Sequence, residues 1–320
     1  MKLARFLCGM LAALSVCGAA IADGYPSKPV KIIVPFGVSS GSDIIARVLA
    51  DELRAQLGGS FVVDNKPGAS AIIGADFVAK SAPDGYTLFV STNTAHNSNP
   101  SLFKKLPYEP IKDFQPISNI VETPFLLMVR SDFPANTVAE LVTWLKAHPD
   151  KASWGHGSST SQVSGASFVK RAGVPSIRVP YKSSPQVMTD LLGGQITYTF
   201  LDLAAARQYL KGGKVRGIAM TTARRSAVMP EVPTLAESGY PGFDLYSWTG
   251  LLAPAGTPND IVQTLNAAVR KTLARKEFQD RMATLGSEVK PQTPEEMHDY
   301  LVAQLKSWTE KIHDAGIQPE

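Results

Sequence analysis

The fold is decided by the stretch Lys31-Ile-Ile-Val-Pro-Phe-Gly-Val-Ser-Ser-Gly-Ser-Asp43. Its apolar, β-branched start predicts a buried strand, which Pro35 ends because proline has no N–H to donate. Its small, polar end predicts a tight loop in which Ser40 and Asp43 fit a capping box, the arrangement that begins a helix. The stretch therefore predicts a strand, a loop of small residues and a helix N-terminus, in that order.

An amphipathic helix is predicted to follow this loop. Isoleucine and leucine recur at every fourth position, which places them on one helical face, and Gly58-Gly59 supplies a C-terminal stop. The N-terminus of such a helix carries a partial positive charge, worth about 0.3–1 kcal/mol to a nearby anion. The periodic residues are Ile45, Leu49, Leu53 and Leu57.

Three interpretations of the loop remain open on its own residues. It can be an ordinary connection to a well-capped helix. It can bind an anion through N–H groups and hydroxyls, although it contains neither nucleotide motif, G-x-x-x-x-G-K-[ST] nor G-x-G-x-x-G. It can be the nucleophile elbow of a secreted α/β hydrolase, because 37–41 matches G-x-S-x-G with Ser39 as the nucleophile. The elbow is disfavoured, since His298 and His313 both fall in helical patterns.

Residues 1–22 have the pattern of a secretory signal peptide. Lys2 and Arg5 form a charged start, 6–16 is apolar, and Ala20-Ile-Ala22 is a small-residue cleavage site. The apolar run is too short to span a membrane. The sequence therefore predicts export and a periplasmic location.

Composition excludes several classes for the mature chain, 23–320. Both cysteines, Cys8 and Cys17, fall in the signal segment, so no disulfide or thiolate metal site is expected. Lipid anchoring at Cys17 is the minor alternative, because Val16 precedes it rather than a small residue. Removing two basic residues with the signal leaves 30 of 32 against 28 acidic ones, and a charge of +2 does not indicate nucleic-acid binding.

The rest of the chain alternates predicted strands and helices, which indicates an α/β fold with a largely parallel sheet. Ligands in such sheets bind beyond the carboxyl ends of the strands. Polar stretches occur there at 91–99, 154–162 and 181–184, while no metal-ligand spacing is present. His96, in the first of these, is interpreted as a solvated loop histidine. The predicted strands are 31–34, 61–63, 86–90, 177–179, 195–201, 214–221 and 247–253, with apolar runs at 117–121 and 125–129.

The mature chain resembles, almost end to end, the substrate-binding proteins of tripartite tricarboxylate transporters, the Bug family. The order and spacing of several short segments carry this resemblance. They are Tyr25-Pro-Ser-Lys-Pro29, Val34-Pro-Phe36 with Gly41-Ser-Asp43, Asp64-Asn-Lys-Pro-Gly68, Ala82-Pro-Asp-Gly-Tyr86, Val179-Pro-Tyr-Lys182, Asp190-Leu-Leu-Gly-Gly194 and Leu251-Leu-Ala-Pro-Ala-Gly-Thr-Pro258.

The resemblance implies a type II periplasmic binding protein fold, in which two lobes, each with a central sheet flanked by helices, close on a small organic carboxylate. It implies no enzymatic activity and no cofactor, a monomer, and delivery of the ligand to the permease subunits of a membrane transporter. Its lobes would be 23–122 and 222–320 for the first and 123–221 for the second, with crossings near 121–124 and 221–225. A solute sensor that feeds a signalling partner remains an alternative.

In this family the ligand carboxylate is typically held by backbone groups, hydroxyls and ordered waters rather than by an arginine. The chain departs from the family at 37–40 and at Leu201-Asp202-Leu203, and its third polar loop carries His156, so the identity of the ligand stays open. Trp248 can equally be a core aromatic residue. The candidate ligand contacts by position are Ser39, Ser40, Gly41, Ser42, Asp43, Thr92, Asn93, Ser158, Ser159, Gln162, Tyr181, Asp202 and Trp248.

Overall fold

A computed structural model describes residues 24–320; the predicted signal peptide and its two cysteines lie outside the described residues. Within this range, no helix combines the length and the hydrophobicity needed to cross a bilayer. The strands are β1 Val30–Val34, β2 Phe61–Asn65, β3 Thr87–Thr92, β4 Phe114–Arg130, β5 Ser153–His156, β6 Ile177–Pro180, β7 Tyr198–Asp202, β8 Val215–Met220, β9 Tyr246–Pro254 and β10 Glu288–Val289.

The helices surround these strands, and a π-helical turn, Thr94–Ser98, follows β3. The helices are α1 Gly41–Leu57, α2 Ile72–Ala79, α3 Asn99–Leu102, α4 Val138–Ala147, α5 Ser159–Ala172, α6 Ser184–Leu192, α7 Leu203–Lys211, α8 Asn259–Ala274, α9 Lys276–Thr284 and α10 Pro294–Asp314.

The long strand β4 belongs to two sheets in succession. Up to Pro124 it pairs with β9, in a first sheet of order β2-β1-β3-β9-β4, with β10 also on β4. From Phe125 it pairs with β7 and β8, in a second sheet of order β6-β5-β7-β4-β8. The chain therefore passes from one sheet to the other inside a single strand.

The expectation of a largely parallel sheet is wrong. Among the strand pairs of the described residues, β1–β2, β1–β3, β5–β6 and β5–β7 are parallel, whereas all pairs of β4 and the β3–β9 pair are antiparallel. The two apolar runs on either side of Pro124 form the one strand β4, since Pro124 stands where pairing with β9 ends and needs no further ladder bond.

The deciding stretch folds as its pattern predicts. Ile45, Leu49 and Leu53 on α1 are buried against β1 in the first core. The Ser40 side chain accepts a hydrogen bond from the Asp43 amide, so it caps α1. Gly58 ends the helix at φ +71°, a conformation that glycine adopts at little cost. The N-terminus of α1 is thus held at the carboxyl end of β1.

The second sheet is covered on both faces. Leu127 and Val129 of β4 point into one core, while Leu126 and Met128, which alternate with them, point into another on the opposite face. This alternation follows from the two-residue period of a strand. The second lobe is therefore a sheet between two apolar layers.

The C-terminal part of the chain contacts both lobes. On α10, Leu301 packs in the first core and Trp308 in the core of the second sheet. Leu235, Phe243 and Leu245 also pack in that second core, although they follow β8. The predicted lobe boundaries stay a prediction. Because residues after 225 pack in the second core, this packing is relevant to where the chain returns to the first lobe.

Candidate functional site

A narrow cavity lies between the lobes, where the N-terminus of α1 meets the carboxyl ends of β3 and β7 and the start of β9. Its volume of about 30 Å³ leaves room only for a water-sized occupant. Six of the candidate contacts line it: Ser40, Gly41, Ser42, Thr92, Ser158 and Asp202. The structure therefore brings together, from four separate segments, six of the contacts that the family resemblance implied by position.

Eight further residues line the same cavity and were not among the candidates. Thr94 and Ser184 belong to the polar stretches 91–99 and 181–184, and Ser247 and Thr249 lie near the start of β9, so their polarity was a usable signal. The apolar lining residues gave no such signal, because they look like core residues in the sequence. The eight are Phe36, Ile45, Thr94, Thr123, Phe125, Ser184, Ser247 and Thr249.

Asp43 is buried beneath the first loop rather than in the cavity lining. Its carboxylate accepts hydrogen bonds from the Ser39 amide at 2.9 Å, from Asn65 at 2.9 Å and from Arg47 at 3.0 Å. Burial alone would raise the pKa of Asp43, but the hydrogen bonds from Arg47, Asn65 and Ser39 hold that pKa below its ordinary value. Asp43 therefore stabilises the loop that carries Ser40.

Ser39 is exposed and does not line the cavity. Its φ of +66° lets its amide reach Asp43, so the Ser40 half of the predicted capping box forms, while the Asp43 side chain accepts from the amide of Ser39 instead of that of Ser40. No hydrogen bond joins Ser39 to a histidine among the described residues, and His298 and His313 both lie on α10. The geometry around Ser39 lacks the base that a nucleophile elbow requires.

Two candidate contacts hold the lobes to each other. Asn93, after β3, donates hydrogen bonds to Thr160 at 2.8 Å and to Ser159 at 3.4 Å. The Ser159 hydroxyl also hydrogen-bonds Thr94 at 2.9 Å and Ser98 at 3.0 Å. These hydroxyl and amide groups form an interlobe seam beside the cavity.

The segment 91–99 is not the solvated loop that its polarity predicts. It is buried throughout, as the end of β3, the π-helical turn and the start of α3. His96 is fully buried, with Nδ1 3.0 Å from the Ser91 hydroxyl, so the interpretation as a solvated histidine is wrong. Trp248 is also fully buried, and its indole N–H donates to the Asn97 side chain at 2.8 Å, which favours the core alternative for Trp248.

Gln162 and Tyr181 lie outside the cavity lining. Gln162 is buried on α5. The Tyr181 hydroxyl donates to Asp190 at 2.6 Å, and burial together with this carboxylate raises the pKa of Tyr181 to about 12. The fourth polar stretch instead reaches the cavity through Ser184.

Asp202 is the one charged side chain among the described residues that line the cavity. It caps α7, where its Oδ1 accepts a hydrogen bond from the Ala205 amide at 2.8 Å. Burial raises the pKa of Asp202 to about 6, because the backbone N–H groups only partly offset the loss of water. A Cβ added at Gly41 would come within 2.1 Å of Asp202 Oδ1, so this carboxylate abuts the N-terminus of α1 across the cleft.

A larger groove lies beside the crossing segment of β4. Its volume is about 1120 Å³, and Glu122, Asp244, Arg224 and Arg270 are among the residues of both charge signs that line it. It is open to solvent and does not lie at the carboxyl ends of parallel strands, where α/β folds bind ligands. No cluster of candidate metal ligands occurs in the part of the chain that the structure describes.

The two buried histidines predict a loss of stability in acid. Burial lowers the pKa of His96 to about 3, and burial with nearby Arg178 does the same for His156. Because the ordinary pKa is near 6.5, the unfolded chain binds protons below pH 6.5 that the folded chain does not. We expect each histidine to remove up to about 1.4 kcal/mol of unfolding free energy per pH unit between pH 6 and 4.

Urea unfolding of the wild type and of His96→Phe, whose new ring would replace one already packed against Phe114 and Trp248, measures this contribution. As the pH falls, the unfolding free energy of the wild type should decrease more than that of the variant, which has no histidine to protonate at position 96. A difference that does not change between pH 7 and 4 would contradict the assignment of His96 as neutral and buried.

The chain matches a known protein family and individual proteins of it. A model described as the tripartite tricarboxylate transporter family receptor matches residues 45–317. The protein BugT of Bordetella pertussis is 31% identical over 309 residues, which cover 96% of this chain and 95% of BugT.

Solved structures of similar proteins share the fold. The periplasmic binding protein BugD is 36% identical, with a TM-score of 0.88 over 92% of this chain and 100% of that chain. An R. palustris protein solved with adipate is 34% identical, with a TM-score of 0.90 over the same shares, 92% and 100%. The predicted two-lobed periplasmic binding protein fold is confirmed.

Proposed function

The chain belongs to the tripartite tricarboxylate transporter receptor family, as the resemblance predicted, and from this membership we propose that it captures a small organic carboxylate between its two lobes. The cavity at the N-terminus of α1 carries the proposal. Hydroxyls and backbone N–H groups surround it, and these bind carboxylates without a positive side chain. The relative solved with adipate supports the same ligand class.

Proteins of this family are substrate-binding proteins of transporters and not enzymes. The expectation that the chain has no catalytic activity is confirmed on that ground, and the alternative of a secreted serine hydrolase using Ser39 is excluded. The family also supports delivery to the permease subunits of a membrane transporter over the alternative of a solute sensor.

The proposed ligand contacts are the polar residues that line the cavity. Ser40 and Ser42 come with the N-terminus of α1, Thr92 ends β3 and Thr94 follows it, and the remaining hydroxyls come from β4, from the second lobe and from β9. The earlier candidates Ser39, Asp43, Asn93, Ser159, Gln162, Tyr181 and Trp248 are proposed instead to hold the site in shape. Ser158 stays from the earlier candidates, and the added contacts are Thr94, Thr123, Ser184, Ser247 and Thr249.

The small volume of the cavity supports a closed arrangement that must open to admit a ligand. The proposed hinge includes the passage between Pro124 and Phe125 within β4. The return is proposed near Tyr246, later than the predicted 221–225, because Leu245 packs with the second lobe and Tyr246 pairs with Pro124 in the first sheet. Such a hinge lets the two lobes approach each other around a ligand.

The proposed location is the periplasm, reached through the signal peptide 1–22, and the proposed assembly is a monomer that binds no nucleic acid. Family members are periplasmic binding proteins, which supports this location.

A thermal-shift screen of mono- and dicarboxylates tests the proposed function. A ligand at 100 times its Kd adds about 2.7 kcal/mol of stability, so a binder should raise the unfolding midpoint clearly. The corresponding amides, which have the same shape without the charge, serve as controls, and NMR of the recovered ligand should show it unchanged. A screen in which amides stabilise as well as carboxylates would overturn carboxylate binding.

Single hydroxyl deletions should weaken binding only modestly. Many neutral donors share the ligand, and each hydrogen bond contributes about 0.5–1.5 kcal/mol net. Ser42→Ala should therefore weaken carboxylate binding by roughly tenfold or less. Ser39→Ala, in the same loop but outside the lining, is the matched control; alanine keeps the backbone amide that holds Asp43, so Kd should stay unchanged in calorimetry. A larger effect at Ser39 than at Ser42 would mean that the ligand contacts a different face of the loop.

A further inference from the structure

Asp202 is a negatively charged group at the edge of a cavity that we propose receives an anion. No lysine, arginine or histidine is among the described residues that line this cavity. Two carboxylates that share a site without a cation repel each other. The carboxylate of Asp202 is therefore not explained by anion binding alone.

The surroundings of Asp202 show which of the hydrogen-bond acceptor positions of its carboxylate are already occupied. On its own lobe, Oδ1 accepts the Ala205 amide at 2.8 Å, at the start of α7. On the opposite lobe it meets Gly41, whose missing Cβ leaves the space that the carboxylate occupies. A carboxylate has about four acceptor positions, so Asp202 retains capacity to accept a hydrogen bond from the cavity side.

On the basis of the proposed function, we propose that Asp202 is a specificity-determining residue, which favours carboxylates that also carry a hydroxyl or ammonium donor and disfavours those that present only acceptors. A donor on the ligand would hydrogen-bond the Asp202 carboxylate while the ligand carboxylate binds the hydroxyls and the N-terminus of α1. One ligand would then satisfy both kinds of group in the cavity.

The expected preference follows from the strength of such bonds. A hydrogen bond to a charged group contributes more than one between neutral groups, and an unpaired charge in a buried site is costly. A ligand with a donor should bind roughly ten- to hundredfold more tightly than the same ligand without it. An ammonium group on the ligand should increase the affinity more than a hydroxyl does, because it also forms an ion pair with the Asp202 carboxylate.

The variant Asp202→Asn tests the proposal without removing the helix cap. Asparagine keeps a side-chain oxygen that can accept the Ala205 amide and is as good an N-cap as aspartate. It removes the charge and adds a donor toward the cavity. Asp132→Asn, an exposed acid paired with Arg130 in the same lobe, is the control for a simple change in net charge.

The experiment is calorimetry with succinate, malate and aspartate, which share a four-carbon dicarboxylate skeleton and carry no donor, a hydroxyl and an ammonium group respectively. The wild type and Asp132→Asn should bind malate or aspartate at least tenfold more tightly than succinate. Asp202→Asn should bring the three affinities within about threefold, with the largest loss for aspartate. Thermal unfolding of the ligand-free proteins checks that the α7 cap is intact.

Two results would overturn the proposal. One is a wild type that binds succinate, or adipate from the carboxylate screen, as tightly as any acid with a donor. The other is a preference for donors that Asp202→Asn leaves unchanged. Both leave the proposed carboxylate binding standing, whereas a wild type that binds no carboxylate in the screen refutes that function and this specificity with it.

Discussion

Replacing Gly41 with leucine is expected to weaken carboxylate binding by about a hundredfold while both lobes remain folded. Gly41 is the first residue of α1, and a Cβ there would lie 2.1 Å from Oδ1 of Asp202 on the opposite lobe. The larger side chain would keep the lobes apart, and overpacking of this kind costs about 1–3 kcal/mol, equivalent to roughly 5- to 150-fold in affinity.

The ligand-free Gly41→Leu protein should still unfold cooperatively, because the clash lies between the lobes and leaves the apolar core of each lobe unchanged. Gly212→Ala is the matched control, since Gly212 ends α7 with φ −74° and a Cβ there would make only ordinary contacts. Calorimetry with the best carboxylate from the screen measures Kd for all three proteins. Wild-type affinity in Gly41→Leu would contradict a closed site between α1 and Asp202.

Replacing Trp248 with alanine is expected to cause the largest loss of stability, about 3–5 kcal/mol of unfolding free energy. Trp248 is fully buried on β9 in the first core, and its indole N–H hydrogen-bonds Asn97 in the π-helical turn. The substitution removes the apolar contacts and leaves a buried amide oxygen without its donor. Urea unfolding measures the loss.

Trp248→Phe separates these two effects. It keeps an aromatic ring and loses the N–H, so we expect a smaller loss, about 1–3 kcal/mol, from the unpaired Asn97 oxygen. The preference among carboxylates should stay as in the wild type, because Trp248 lies behind the cavity rather than in its lining. A changed ligand preference with unchanged stability would instead make Trp248 a ligand contact.

Local patterns predicted the parts of this fold that depend on neighbouring residues. The buried face of α1 follows from its four-residue period, and the start of α10 follows from Thr293 and Glu296, which form a complete capping box. The six candidates that reach the cavity came from the family resemblance by position, and they lie together because polar residues at the ends of strands in an α/β fold converge on one edge.

Contacts between residues that are far apart in the sequence could not be predicted from local patterns. Ser159 and Asn93 look like ligand contacts in the sequence, yet they bind each other across the lobes. The sequence shows that a serine or threonine is present, but it does not show whether the hydroxyl faces a ligand or another hydroxyl of the protein. The burial of His96 was missed for a related reason, since it packs against Trp248 on β9, which is more than 140 residues away from β3 in sequence yet pairs with it.

A crystal structure of the complex with the tightest-binding carboxylate tests the central claim most directly. The account predicts the ligand between the lobes, with a carboxylate oxygen about 3 Å from the Ser40 or Ser42 hydroxyl or from an amide at the N-terminus of α1. Density for the ligand in the larger groove beside β4, near Arg224 and Arg270, with the cavity at α1 left unchanged, would contradict it.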